Sequence, residues 1–224
     1  MAAVGALAIA CNSPQDPDIP ELPWLRGLSD VRLTTTPTSD VVDRMSPWSP
    51  ADEDCAATRY PGLALAANVT HGPEDEMILA SFTQGVAIVD ANNRLIARAP
   101  GLPCGGSADE IVALAFGRAY LEPTIVVTIT SGGHREHATW VTLYRLGFRD
   151  RLEPVFTGSI EERADDAVQR GSVTLLPDGL IYRRPGGQRT YWRFDPVAGA
   201  YVYRSRLARD DSDEQPHVPP PSAW

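Results

Sequence analysis

From residue 61 onward the chain is a succession of short apolar runs, each closed by turn-forming residues. The runs are Leu63–Val69, Met77–Phe82, Val86–Asp90, Leu95–Ala99, Ile111–Phe116, Thr124–Thr130, Thr139–Leu146, Ser172–Leu176, Leu180–Arg183, Thr190–Phe194 and Tyr201–Arg204. Each is four to eight residues long and rich in Val, Ile, Thr, Tyr and Trp. That length and composition suit strands and are too short for packed helices. The punctuation is Ala91-Asn92-Asn93, Ser131-Gly132-Gly133, Pro177-Asp178-Gly179 and Pro185-Gly186-Gly187. These are tight-turn sequences in which Gly or Asn takes positive φ. Strands at a spacing of roughly 8–12 residues predict an antiparallel, all-β fold.

Two segments compete with that reading. Ser107-Ala108-Asp109-Glu110 matches a helix capping box, but Ile111–Phe116 after it has no polar face and is read as a buried strand. Ser159-Ile160-Glu161-Glu162 is a second match, and Arg163–Arg170 after it is expected to be a short surface helix or a charged loop. The strands group in fours, over 61–99, about 109–157 and 170–205. The phrase Gly85-Val86-Ala87-Ile88-Val89-Asp90-Ala91-Asn92-Asn93-Arg94-Leu95 is similar to blade strands of secreted bacterial β-propellers. That resemblance implies four-stranded blades, yet three groups fall short of the four blades a closed propeller typically has. A β-sandwich fits the same strands. The expected fold is therefore propeller-like or sandwich.

Residues 12–60 hold seven Pro among many Ser, Thr and Asp. Proline fixes φ and removes a backbone donor, so neither a long helix nor a central strand is expected. The segment 11–60 reads as an extended arm or tether, with Trp24 and Trp48 folding back onto a body at 61–207. The end, 208–224, combines the like-charge block Asp210-Asp211-Ser212-Asp213-Glu214 with Pro219-Pro220-Pro221 and is expected to be a disordered tail. Net charge is −9, with all twenty basic residues arginine. The acids collect in the flanks: nine against four Arg in 12–60, four against one in 208–224, but sixteen against fifteen in the body. A near-neutral body with acidic flanks argues against a nucleic-acid partner.

At the N-terminus, Leu7-Ala8-Ile9-Ala10-Cys11 is followed at once by the polar Asn12-Ser13-Pro14-Gln15-Asp16-Pro17. This resembles the lipobox of bacterial lipoproteins. The resemblance covers the first dozen residues. It implies cleavage before Cys11 and a diacylglyceryl group on its thiol, so that residues 1–10 are the remnant of a signal peptide. A whole secretory signal begins with a basic segment and runs roughly 15–30 residues. Here ten residues precede Cys11 and none is basic. Ten apolar residues are too few to span a bilayer, which takes about 20. The expected place is therefore extracytoplasmic, with the lipid on Cys11 as the membrane contact. By family analogy Asn12, not being Asp, favours the outer membrane. Once lipid takes Cys11, Cys55 and Cys104 remain, and an exported pair is expected to close into a disulfide.

Catalytic patterns are weak. His134-Arg135-Glu136-His137 follows Ser131-Gly132-Gly133, as a hairpin tip would, and is one residue short of HExxH. Gly105-Gly106-Ser107-Ala108-Asp109 lacks the second Gly of a nucleophile elbow. Asp90-Ala91-Asn92-Asn93 begins like a calcium loop but lacks its later acids, so a turn is expected. Neither a Walker A sequence nor a dinucleotide fingerprint occurs. No catalytic residue, metal site or cofactor is expected. The reading is a binding or assembly component of the bacterial envelope, with a protein or glycan partner. The alternative is a secreted hydrolase or carbohydrate-active enzyme, which would need two convergent carboxylates among Asp75, Glu76, Asp109 and Glu110.

Overall fold

The computed structural model of the protein describes residues 22–48, 62–101, 110–120, 122–132, 136–147, 151–164 and 167–207. Over these residues it is an all-β protein. The strands are β1 (Leu25–Arg26), β2 (Ser29–Thr34), β3 (Leu63–Ala67), β4 (Glu76–Ser81), β5 (Gly85–Val89), β6 (Leu95–Ala99), β7 (Glu110–Ala119) and β8 (Glu122–Gly132). They continue with β9 (Glu136–Leu146), β10 (Leu152–Ala164), β11 (Ala167–Arg170), β12 (Ser172–Leu176), β13 (Gly179–Arg183), β14 (Arg189–Asp195) and β15 (Ala200–Arg206). Among the described residues one helix occurs, α1 (Val41–Met45), and no helix is long and apolar enough to cross a membrane.

Every run read as a strand is one. They form three sheets. An N-terminal sheet has the order β3-β4-β5-β6, a central sheet β11-β10-β9-β8-β7-β2, and a C-terminal sheet β1-β12-β13-β14-β15. Neighbours pair antiparallel except β1, which runs parallel to β12.

Side-chain alternation explains why the sheets stack in layers. Along β7, Ala113 and Ala115 join one core while Leu114 and Phe116 join another. On β8, Val126 faces the first core and Ile125 and Val127 the second. The first core is shared with Val173, Leu175 and Leu180 of the C-terminal sheet, the second with Ile78, Val86 and Ile88 of the N-terminal sheet. The central sheet is thus buried on both faces, and the molecule is two sandwiches with a common middle layer. Among the described residues the two outer sheets share no core cluster with each other. The remaining face of the N-terminal sheet, at Leu79, Ala87 and Val89, is covered by Val41 and Met45 of α1. Because Gly85–Val89 is covered on both sides, β5 reads as a continuous apolar run rather than an alternating one.

Between residues 22 and 48 the proline-rich arm is more than a tether. It supplies β2 to the edge of the central sheet, β1 to the edge of the C-terminal sheet, and α1. Edge positions are where proline-flanked strands are tolerated. Trp24 and Trp48 do fold back, onto the first core and the α1 cluster respectively. The rest of the arm, Cys11, Cys55 and Cys104, and the tail 208–224 lie outside the described residues.

The helix or loop expected after Ser159 is corrected. Residues 152–164 are one strand, and 167–170 another. Ser159-x-x-Glu162 carries a local capping signal, but β10 pairs with β9 on one side and β11 on the other. Two bulges in β10, at Pro154/Phe156 and Ser159/Glu161, insert Val155 and Ile160, and both are buried in the core facing the C-terminal sheet. The turn chemistry also needs one correction. Asn93, Gly132 and Gly186 have positive φ, but Gly179 does not. Gly179 is required by proximity, since a Cβ there would lie 2.3 Å from the Trp192 carbonyl oxygen.

Candidate functional site

Alternation in the C-terminal sheet buries Val173, Leu175 and Leu180, so Ser172, Thr174, Ile181 and Arg183 point to the opposite face. Register then sets residues side by side across that face. Arg183 pairs with Ser172 on one side and Arg189 on the other. One row further along, Thr174 pairs with Ile181 and with Arg26 of β1. Like charges placed directly opposite, as at Arg183 and Arg189, oppose strand pairing.

This face forms one side of a cleft of about 680 Å³ where the chain crosses from β11 to β12. Among the described residues Arg26, Arg170, Arg183, Arg189 and Glu161 are the charged groups that line it. Trp24, Thr139, Ser172 and Thr174 complete its polar and aromatic lining. The crossing is held by hydrogen bonds from Gly171 N–H to the Ile160 carbonyl at 2.8 Å and from Val173 N–H to the Trp24 carbonyl at 2.7 Å. Gly27 lets β1 sit there: its φ is +87°, and a Cβ would lie 2.5 Å from the Leu175 carbonyl oxygen. Glu161 lies 3.5 Å from Arg170 and 3.8 Å from Arg163, so its charge is locally matched. Arg26, Arg183 and Arg189 also interact within the chain. The volume falls within the roughly 300–1,000 Å³ of small-ligand clefts.

Tyr182 ties the cleft's sheet to the central layer. Its hydroxyl donates to the Ser159 carbonyl at 2.8 Å, at the second bulge of β10. Burial, its largest influence, pushes the phenol above its ordinary value, with Arg184 pulling the other way. Several aromatics of this sheet pack on the first core, and Trp192 lies edge-on to Phe156 at 5.7 Å and to Tyr203 at 5.9 Å.

The residues weighed from sequence are dispersed. Glu76 is buried, accepting from Val69 N–H at 2.8 Å, from Thr70 N–H at 3.4 Å and from the Thr70 hydroxyl. Asp75 is ion-paired with Arg32. Glu110 is exposed at the start of β7, and Asp109 and Ser107 lie outside the described residues. Asp90 is the turn residue expected of it: its Oδ1 accepts from Asn92 and Arg94 N–H, both at 2.8 Å. His71 has φ +62° and its Nε2 lies 2.7 Å from Arg118. His137 pairs with Gly132 across the β8–β9 hairpin and, with Glu162, Arg163 and Gln169, lines a second, shallower hollow of about 560 Å³. His134, Arg135 and His217 lie outside the described residues. Among those described, no three His, Cys, Asp or Glu side chains are grouped to hold a metal ion.

Sequence reading noticed Trp24 but none of the cleft arginines. They come from four strands, and no local spacing links them.

Fold and cleft together define a three-layer all-β protein with a basic, ligand-sized cleft at the margin of one outer sheet. No protein-family model matches the chain. No curated protein and no solved structure matches it either.

Proposed function

We propose that this chain is a lipid-anchored, extracytoplasmic binding component of the bacterial envelope, and that its ligand occupies the cleft between Arg26 and Arg189. The observation that carries the binding reading is the cleft itself. It gathers four guanidinium groups, three hydroxyls and an indole around a ligand-sized volume. The rival reading, hydrolysis by paired carboxylates, gains no support from Asp75 and Glu76. Both are engaged with partners of their own. The anchor rests on the lipobox-like Leu7–Cys11 and its resemblance to bacterial lipoproteins. Two acyl signals suffice for stable attachment, at about 0.8 kcal/mol per buried CH₂.

The test is expression with a complete signal sequence in a bacterial host, followed by membrane fractionation. Cys11→Ser should move the protein from the membrane to the soluble fraction. Equal distribution of both forms would refute the anchor. Peptide mapping of the same exported protein without reductant should show Cys55 joined to Cys104, and free thiols at both positions would refute the pairing.

A further inference from the structure

We infer that the face of the central sheet around Trp140 binds an uncharged saccharide. This is a second site, on the side of β9 and β10 turned away from the arginine cleft, and it does not rest on that cleft having a ligand. Strand length creates it. The strands β8, β9 and β10 have 11, 11 and 13 residues, whereas those of the N-terminal sheet have 5 or 6. At about 3.3 Å per residue, the central strands run about twice as far as the sheet laid over them. The second core therefore takes in Ile125 and Val127 fully but Ile129 only partly. Trp140, opposite Ile129, is left 42 % exposed.

Register sets polar groups beside the ring. Trp140 pairs with Ile129 on one side and Ser159 on the other. One row further along the same face, Ser131, Ala138, Glu162 and Gln169 follow one another across four strands. These four line the hollow of about 560 Å³, and the small side chains of Ala138, Ala164 and Ala167 give it depth. Among the described residues Ser131, Glu162 and Gln169 have no side-chain hydrogen bond or ion pair, whereas the neighbouring Glu161 lies near Arg163 and Arg170.

An exposed indole flanked by a free hydroxyl, carboxylate and carboxamide suits a sugar. A pyranose presents a face of C–H bonds, which rests on an aromatic ring, and a rim of hydroxyls, which needs convergent polar groups. Glu162 can accept from two neighbouring hydroxyls, and Gln169 and Ser131 both donate and accept. Charge narrows the class. Arg163, at the edge of the hollow, is matched by Glu161, so Glu162 stands as a carboxylate without a counter-charge among the described residues. It repels phosphate and uronate groups, which disfavours nucleic acid and acidic sugars. A protein partner is disfavoured as well, because the row beside Trp140 is polar and carries Glu, while the centre of a protein interface is apolar and poor in charge.

The full chain is titrated by calorimetry with four uncharged tetrasaccharides: maltotetraose, cellotetraose, mannotetraose and tetra-N-acetylchitotetraose. Tetragalacturonate and a ten-nucleotide oligothymidylate are the charged comparison probes. At least one uncharged tetrasaccharide should bind, and more tightly than either charged probe. Trp140→Ala should weaken that binding about tenfold or more, the loss typical of a central aromatic contact. Trp140→Phe, which keeps a ring, should weaken it less. Glu162→Ala and Gln169→Ala should each weaken it about threefold or more through lost hydrogen bonds. Tyr120→Ala removes another exposed ring, at the opposite end of β8, and should change nothing. Melting curves of each variant verify folding. Binding of none of the four tetrasaccharides, tighter binding of tetragalacturonate or oligothymidylate, or binding indifferent to Trp140→Ala and Glu162→Ala would each overturn the assignment.

Discussion

At Glu76 a carboxylate that looks catalytic in sequence turns out to be structural. It begins β4, its side chain is buried, and the loop of Val69 and Thr70 closes over it through backbone and hydroxyl donors. Removing the carboxylate leaves the buried Val69 N–H without its acceptor. Glu76→Ala should therefore cost about 1–3 kcal/mol in urea unfolding, and a smaller loss is expected for Glu76→Gln, which keeps one acceptor. Buried tyrosines act at the same scale. Burial is the largest influence on Tyr144, Tyr182 and Tyr201, and it raises each phenol above the ordinary 10.0. In the unfolded chain these phenols ionise near that ordinary value; in the folded chain they hold their protons to higher pH. Their contribution to stability is complete below about pH 10 and is lost as pH rises through the folded values. Melting temperature should fall above pH 10, with phenolate absorbance appearing at unfolding. Full ionisation near pH 10 without loss of structure would contradict the burial argument.

Among the elements, β1 is the smallest and the most consequential for the site. Its two residues bring Arg26 and neighbouring Trp24 to the cleft, and Leu25 is buried in the core beside Val173. Gly27 is the hinge that permits this. Gly27→Ala meets both a left-handed backbone and the Leu175 carbonyl, and should cost about 1–3 kcal/mol from backbone strain before any clash is counted. Binding at the cleft should weaken alongside, because β1 would be displaced. A variant with unchanged stability and unchanged binding would show that β1 does not position the cleft. The longer β10 illustrates the opposite regime. Its polar Ser159–Glu162 stretch has a helix-start pattern, yet pairing on both edges and the burial of Val155 and Ile160 make it a strand.

Across the whole molecule, charge is sorted more sharply than the averages suggest. The body holds nearly equal numbers of acids and arginines, and that balance, with the acidic flanks, argued against a nucleic-acid partner. Folding places Arg26, Arg170, Arg183 and Arg189 around one cleft while Asp75, Glu76 and Asp90 are spent on turns and pairs elsewhere.

Strand identity was legible from the sequence because it depends on local chemistry: β-branched and aromatic runs of strand length, ended by Asn, Gly and Pro, specify strands wherever they are placed. The turn at Asp90 and the grouping of strands near 61–99 and 170–205 follow from the same local rules. Periodicity could not state that β7 and β8 face two different cores, because a residue's partners across a sheet stack are set by packing between distant segments. Nor could it incorporate residues 25–34 into two different sheets, since edge pairing is decided by which strand lies free in space. The cleft is of the same kind. Its arginines are separated by up to 163 positions from Arg26 to Arg189, and only parallel pairing of β1 with β12, with the register of β12, β13 and β14, brings them together.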